Sequence, residues 1–217
     1  MTVGELSRRR FLGTTTATIG AIGLPSLLAT EAEAAGRVWR GAKSANGWPV
    51  LDQARTFRVE GSSQSVALAG GDVATVLLHV ARRFNYEIDT LREGDLAGFS
   101  TNPKIAQPYE SNYLSGTAIA LRPAGYPAGA SGLFFPLELT VIRDILAELD
   151  GAVSWGGDEK VAKESHFQIA VPPVGLTVAA RRISGWNEGH GGQGAGAIDA
   201  FAAGRVRSAQ AFERRTR

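Results

Sequence analysis

The chain contains no cysteine, one methionine and only three histidines in 217 residues. Without thiols no disulfide can staple the fold, and no thiolate is available to a metal. The histidines, His79, His166 and His190, are too few and too scattered for a histidine-rich centre. Long hydrophobic runs are also missing. The most apolar N-terminal stretch, Gly13 to Ala29, is interrupted by Gly20, Gly23 and Pro25. It falls short of the ~18–20 strongly apolar residues of a membrane span. Neither an internal repeat nor a charge extreme stands out: the net charge is +2, with 20% of residues charged. A hydrophobic fraction of 44% supports a globular domain with a sizeable core.

The first residues read as a targeting segment. Ser7-Arg8-Arg9-Arg10-Phe11-Leu12 resembles the twin-arginine export signal, and Ala32-Glu33-Ala34 gives an A-x-A cleavage site. The expected organisation is a signal over 1–34, an N-terminal arm over 35–56, a folded domain over 57–175 and a basic tail over 176–217. Export by this route, to the cell wall or medium, implies the twin-arginine machinery as a partner. Neither a nucleic-acid partner nor a permanent membrane span is expected. From Arg181 to Arg217 seven arginines face three acids, which suits loose attraction to anionic polymers or simply a solvated terminus.

Between these ends the pattern alternates between strand and helix. The arm carries Trp39 and Trp48, which would either pack it onto the domain or leave it a loose linker. Phe57–Val59 and Val66–Leu68 read as strands. Asp72 is placed as the N-cap of a helix with Val73, Val76, Leu77, Val80, Ala81 and Phe84 on one face. Arg82 and Arg83 fall on its polar side, with His79 half-exposed. Thr117–Leu121 reads as a short strand. Pro136 opens a second helix bearing Leu137, Val141, Ile142, Ile145, Leu146 and Leu149. Val153–Trp155 and Phe167–Val171 read as a hairpin placing Trp155 and His166 on adjacent strands. Six of the twelve residues 185–196 are glycine, so a flexible tail is expected there, with a short helix in 197–203 or near the end. The fold class is α+β, a small mostly antiparallel sheet with packed helices.

Two segments carry the chemistry. Residues 111–121 read Ser-Asn-Tyr-Leu-Ser-Gly-Thr-Ala-Ile-Ala-Leu, and 154–169 read Ser-Trp-Gly-Gly-Asp-Glu-Lys-Val-Ala-Lys-Glu-Ser-His-Phe-Gln-Ile. They resemble the signatures of the bacterial cell-wall zinc peptidases, the D-alanyl-D-alanine carboxypeptidases and L-alanyl-D-glutamate endopeptidases. Those signatures are S-x-H-x-x-G-x-A-x-D and W-G-G-D followed by D/E-x-x-H-F. The resemblance covers roughly residues 57–171 and implies a D-Ala-D-Ala carboxypeptidase-like fold. Ser111, Gly116, Ala118, Trp155, Gly156, Gly157, Asp158, His166 and Phe167 match. The ligand positions fall on Tyr113, Ala120 and His166, and the catalytic acid falls on Lys163.

Three of those four residues cannot do the family's work. A catalytic zinc takes three protein ligands, Ala120 has no donor atom, and a phenol with an ordinary pKa of about 10 is a poor ligand at neutral pH. The resemblance therefore implies a lost zinc site, no cofactor, and no catalytic residue, with Lys163 as the degenerate position. A non-catalytic groove for peptide or peptidoglycan is expected around Ser111, Tyr113, Ala120, Trp155, Asp158, Lys163 and His166. Lys163 would offer a ligand carboxylate the charge once supplied by metal, or pair with Glu164. The alternatives are an active metallopeptidase with rearranged ligands and a protein-interaction module on the same scaffold. Weaker readings are a serine nucleophile among Ser111, Ser115 and Ser165 beside His166, and a phosphate turn at Gly156-Gly157-Asp158.

Changing both Arg8 and Arg9 to lysine should hold the precursor inside the cell. Immunoblots of cell and medium fractions check this, and normal release of the double variant would refute the targeting assignment.

Overall fold

The structure, a computed structural model, describes residues 36–188 and 198–216. The segment expected to be an export signal, with Arg8 and Arg9, and also His190, lie outside the described residues. The elements run β1 (Arg37–Val38), β2 (Arg55–Arg58), β3 (Ser65–Leu68), α1 (Asp72–Glu87), β4 (Leu96–Ala97), β5 (Lys104–Ile105), β6 (Ala118–Leu121) and α2 (Pro136–Glu148). Then follow β7 (Val153–Trp155), β8 (His166–Ile169), α3 (Pro173–Glu188) and α4 (Ala203–Thr216). The fold is α+β with small antiparallel sheets and packed helices. Two strand pairs, β1–β5 and β2–β3, flank a four-stranded sheet in the order β4-β6-β8-β7. None of the described helices is long and apolar enough to cross a membrane.

The central sheet divides its side chains by alternation. Ile119, Leu121, Val153, Trp155, Phe167 and Ile169 belong to the hydrophobic core with the apolar stripes of α1 and α2. The opposite face carries short or polar residues in register: Ala120 opposite His166, and Ala118, Gln168 and Ser154 in one row. The N-terminal arm covers part of this polar face. Asn46 donates through Nδ2 to Thr117 Oγ1 (2.8 Å) and to the Ile169 carbonyl (2.9 Å), and Trp48 donates to the Val171 carbonyl (3.2 Å). The Trp39 indole donates within its own turn to the Lys43 carbonyl, and its backbone N–H donates to the Pro103 carbonyl at 2.8 Å.

Several expectations change in detail. Gly71, at φ 69°, occupies the cap position of α1, so Asp72 is the first helical residue instead and accepts from Thr177 Oγ1 at 2.7 Å. The glycine-rich stretch 189–197 lies outside the described residues, but where it is described the segment from 176 is helical and packed: Leu176, Ala179, Ala180 and Ile183 are buried along α3. Their spacing is the helical stripe i, i+3, i+4, i+7. The helix near the C-terminus is α4, much longer than a single turn. Of the basic segment's arginines, Arg205 turns inward to the buried Asp144, while Arg215 and Arg182 pair at the surface with Asp150 and the Glu148 carbonyl.

The polar side of α1 is buried as well. His79 is 3%, Arg82 7% and Arg83 0% exposed, because α2 and α3 pack against α1 on that side. Arg83 bonds Glu87 (2.5 Å), Asp144 (2.8 Å) and Glu148 (2.8 Å). His79 Nε2 meets Glu148 at 3.0 Å, while Nδ1 accepts from Arg82, which also reaches Glu60. Burial opposes the Arg83 charge, but the three carboxylates outweigh it and raise its pKa. Burial would likewise raise Glu148; the His79 hydrogen bond and the Arg83 charge bring it down to about 2.

Replacing Arg83 by methionine should leave buried carboxylates without their cation. The expected cost is about 3–5 kcal/mol, read from urea denaturation at pH 7. A loss below about 1 kcal/mol would show that the cluster is not holding the helices together.

Candidate functional site

The site lies on the polar face of the sheet, where β6 and β8 meet a short 3-10 segment, Pro108–Tyr113. Gln107 precedes Pro108, and the Glu110 carboxylate accepts from the backbone N–H groups of Ala106 (2.7 Å) and Gln107 (3.1 Å). That fixes the segment's start and delivers Glu110, Asn112 and Tyr113 over β8.

His166 is fully buried, and both ring nitrogens have partners. Tyr113 OH lies 2.8 Å from Nδ1, and Gln168 Oε1 lies 2.9 Å from Nε2. Gln168 Oε1 also accepts from Asn112 Nδ2. An amide oxygen only accepts, so Nε2 carries the proton and Nδ1 takes the phenol's hydrogen. Burial, reinforced by the nearby Lys163 charge and only partly offset by Gln168, lowers the His166 pKa to about 4. Burial, together with the Glu110 charge, pushes the Tyr113 phenol up. The pair is therefore neutral at pH 7, a phenol donating to an imidazole, with the Tyr109 ring 4.9 Å from the imidazole centroid.

Lys163 is not available to a ligand carboxylate. Its ammonium lies 2.6 Å from Glu110 Oε1 and 5.2 Å from the centre of the Tyr113 ring. Burial alone would raise the Glu110 pKa, but the Lys163 hydrogen bond and charge, with the two backbone donors, hold it below the ordinary carboxylate value. Glu164 does not pair with Lys163. It is 4% exposed and accepts from the backbone N–H groups of Gly132 (2.6 Å) and Leu133 (2.9 Å), pinning that loop.

The W-G-G-D turn is a packing device. A Cβ on Gly156 would lie 2.4 Å from the Lys163 carbonyl, and one on Gly157 2.2 Å from the Trp155 ring. Trp155 donates to the Glu164 carbonyl at 2.7 Å, and Arg143 stacks 4.9 Å above its ring while gripping both Asp158 oxygens. No phosphate cradle is formed, since Asp158 would repel one. The serine reading also falls: Ser111 donates to the Pro108 carbonyl, Ser165 to the Tyr126 carbonyl, and Ser115 bonds Ser44 and Thr117. None of them is bonded to His166.

Of the expected groove residues, the structure brings Tyr113, Ala120, Lys163 and His166 together. Ser111 sits beneath them, accepting from Ala45 N–H, while Trp155 faces the core and Asp158 the α2 side. Glu110, Asn112, Gln168 and Tyr109 are the participants the sequence reading missed. Gln168 was reachable, because on a strand it shares the face of His166 two residues away; Glu110 lies 53 residues from Lys163 with no local signal.

A zinc ion taken from the resemblance does not fit this donor set. Ala120 has no donor, Tyr113 is a neutral phenol, Lys163 is a cation, and both His166 nitrogens are engaged. Among the described residues no group of three or more His, Asp or Glu side chains is placed to hold a metal ion. Beside the closed network lies a groove of about 420 Å³ lined by Asn46, Tyr109, Asn112, Ser154, Glu159 and Gln168, among others. In comparisons with known proteins, no family model, curated protein or solved structure matches the chain.

The buried imidazole has a pH consequence. Between its ordinary value of 6.5 and about 4, the unfolded chain takes up a proton that the folded one refuses. His166 therefore leaves stability unchanged above about pH 6.5 and costs up to about 1.4 kcal/mol per pH unit below it. By pH 4 the loss reaches roughly 3 kcal/mol. Glu110 and Glu148, both held below the ordinary carboxylate value of 4.5, add a loss of their own as pH falls past about that value. Urea unfolding at pH 7.5, 5.5 and 4.5 should show that slope in the wild type and a flatter one in His166→Gln; parallel slopes would refute it.

Proposed function

We propose that the chain is an exported, non-catalytic relative of the cell-wall zinc peptidases that binds peptide or peptidoglycan fragments. The reading is supported above all by the closure of the site. Every position that would ligate metal or move a proton is either without a donor or paired with another residue of the chain. A mutually satisfied network of this kind contains no activated nucleophile and no free general base, which hydrolysis requires. The flanking groove, in contrast, offers amide and hydroxyl groups with an aromatic wall, a composition suited to peptide backbone. The two segments that resemble the family meet on β6 and β8, which supports a common ancestry for the scaffold and its carboxypeptidase-like arrangement. The twin-arginine-like start supports export to the wall or medium.

Metal content and turnover test the first half, and pull-down on isolated peptidoglycan tests the second. Purified protein should carry no stoichiometric zinc and cleave neither D-Ala-D-Ala nor L-Ala-D-Glu peptides above background. The triple variant Tyr113→His, Ala120→Asp, Lys163→Asp should gain zinc affinity, because position 120 faces His166 directly across the β6–β8 ladder. One tightly bound zinc in the wild type, with activity lost on its removal, would favour a metallopeptidase with rearranged ligands.

A further inference from the structure

We infer that the open edge of β7 is a binding site for an extended peptide carrying a positively charged group, added to the central sheet as a fifth strand. The inference names the ligand class for the binding function proposed above and rests on that reading, but not on the peptidase resemblance.

The strand ladder supplies the first argument. On β8 the odd residues bond to β6: Leu121 N–H donates to the Ser165 carbonyl and Ile169 N–H to the Thr117 carbonyl. The even residues face β7, with Ala170 N–H donating to the Ala152 carbonyl and Gln168 opposite Ser154. Antiparallel alternation then turns the backbone groups of Val153 and Trp155 away from β8. Neither N–H has a backbone partner among the described residues. At the sheet's other edge, residues following β4 are tied to β3 through Phe99 N–H and the Ala67 carbonyl. β7 is thus the edge left as a pairing template.

A groove of about 670 Å³ lies along that edge, with β7 and the Gly157–Glu159 turn on one side and Arg143, Leu146 and Phe212 on the other. Its volume falls within the range of ligand sites. It adjoins the smaller groove, since Ser154, Glu159 and Ala170 line both.

Charge selects the occupant. The groove is lined by Asp158, Glu159 and Glu213 against one cation, Arg143. Arg143 already pairs with Asp158 and Glu213. Glu159 is half-buried where the grooves meet; its backbone N–H donates to the Gly156 carbonyl, but its carboxylate makes no hydrogen bond or ion pair among the described residues, and its charge adds to burial and Glu110 in raising the Tyr109 phenol. A ligand ammonium or guanidinium beside Glu159 would complete the site, while backbone pairing at Val153 and Trp155 would supply the register. With only three residues in β7, few ladder bonds can form, so pairing with a second copy of the chain gains little and the charged anchor decides the ligand.

The test uses the ¹⁵N-labelled full chain and the probe acetyl-Ala-Lys-Val-Lys-Ala-amide. Binding should slow amide exchange at Val153 and Trp155. N-methylation of alternate peptide nitrogens should weaken binding by about tenfold or more, as lost hydrogen bonds would. Glu159→Gln should weaken it about three- to tenfold, and a Glu-for-Lys peptide should bind more weakly still. Equal affinity for the N-methylated peptide would overturn the inference, as would unchanged exchange at Val153 and Trp155 or concentration-dependent dimers that mask that edge. Binding that perturbs only Asn112 and Gln168 also overturns it, while leaving the peptide-binding function standing.

Discussion

A guanidinium with no access to water holds the helical layer together. Arg83 sits at the centre of three carboxylates from α1 and α2, and two of them, Asp144 and Glu148, also receive Arg205 from α4. A buried charge of this kind is tolerable only while every partner stays in place. It therefore fixes α1, α2 and α4 relative to one another more sharply than apolar contact alone would. α2 in turn carries Arg143, which clamps Asp158 and covers Trp155. The position of the W-G-G-D turn, and of the β7–β8 hairpin it closes, thus follows from an interaction far from the polar face.

On that face the governing constraint is satisfaction. A buried imidazole, phenol and two amides each need partners, and an unpaired one costs about 1–3 kcal/mol. The chain meets the requirement with a closed circuit: Tyr113 to His166, His166 and Asn112 to Gln168, and Lys163 to Glu110. On the proposed reading, a metal centre has been replaced by hydrogen bonds among residues at the same positions. The replacement is coherent rather than piecemeal. A phenol at 113 serves the bared histidine, and a cation at 163 is neutralised by a glutamate whose own carboxylate caps the segment bearing Tyr113.

The parts of the fold written in local periodicity were legible in the sequence. The stripe Val73 to Phe84, the helix opened by Pro136 and the hairpin joining Trp155 to the His166 strand all appear where the spacing places them. What escaped depends on tertiary partners. Arg82, Arg83 and His79 look like a solvated helix face until α2 and α3 cover it, and the stripe Leu176, Ala179, Ala180 and Ile183 of α3 is masked in the sequence by the glycine-rich stretch that follows it. In the site, the two motif segments meet, with Tyr113 and Ala120 beside His166 and Lys163 over the Tyr113 ring. The fate of Lys163 was not legible, since Glu110 is distant in sequence and competes with any ligand carboxylate.

The closed network and the open edge are two sides of one strand. β8 gives its odd backbone groups to β6 and its even ones to β7, while His166 and Gln168 lock its side chains beneath Tyr113 and Asn112. A strand so constrained on three sides cannot slip in register, because a one-residue slip would carry both polar side chains into the core. β7 inherits that rigidity across the hairpin. An edge held in advance loses little further freedom when a ligand pairs with it, and lost freedom is the main cost of such association. The residues that no longer serve catalysis on the proposed reading are thereby given a different physical role, as the anchor that pre-organises the neighbouring strand for binding.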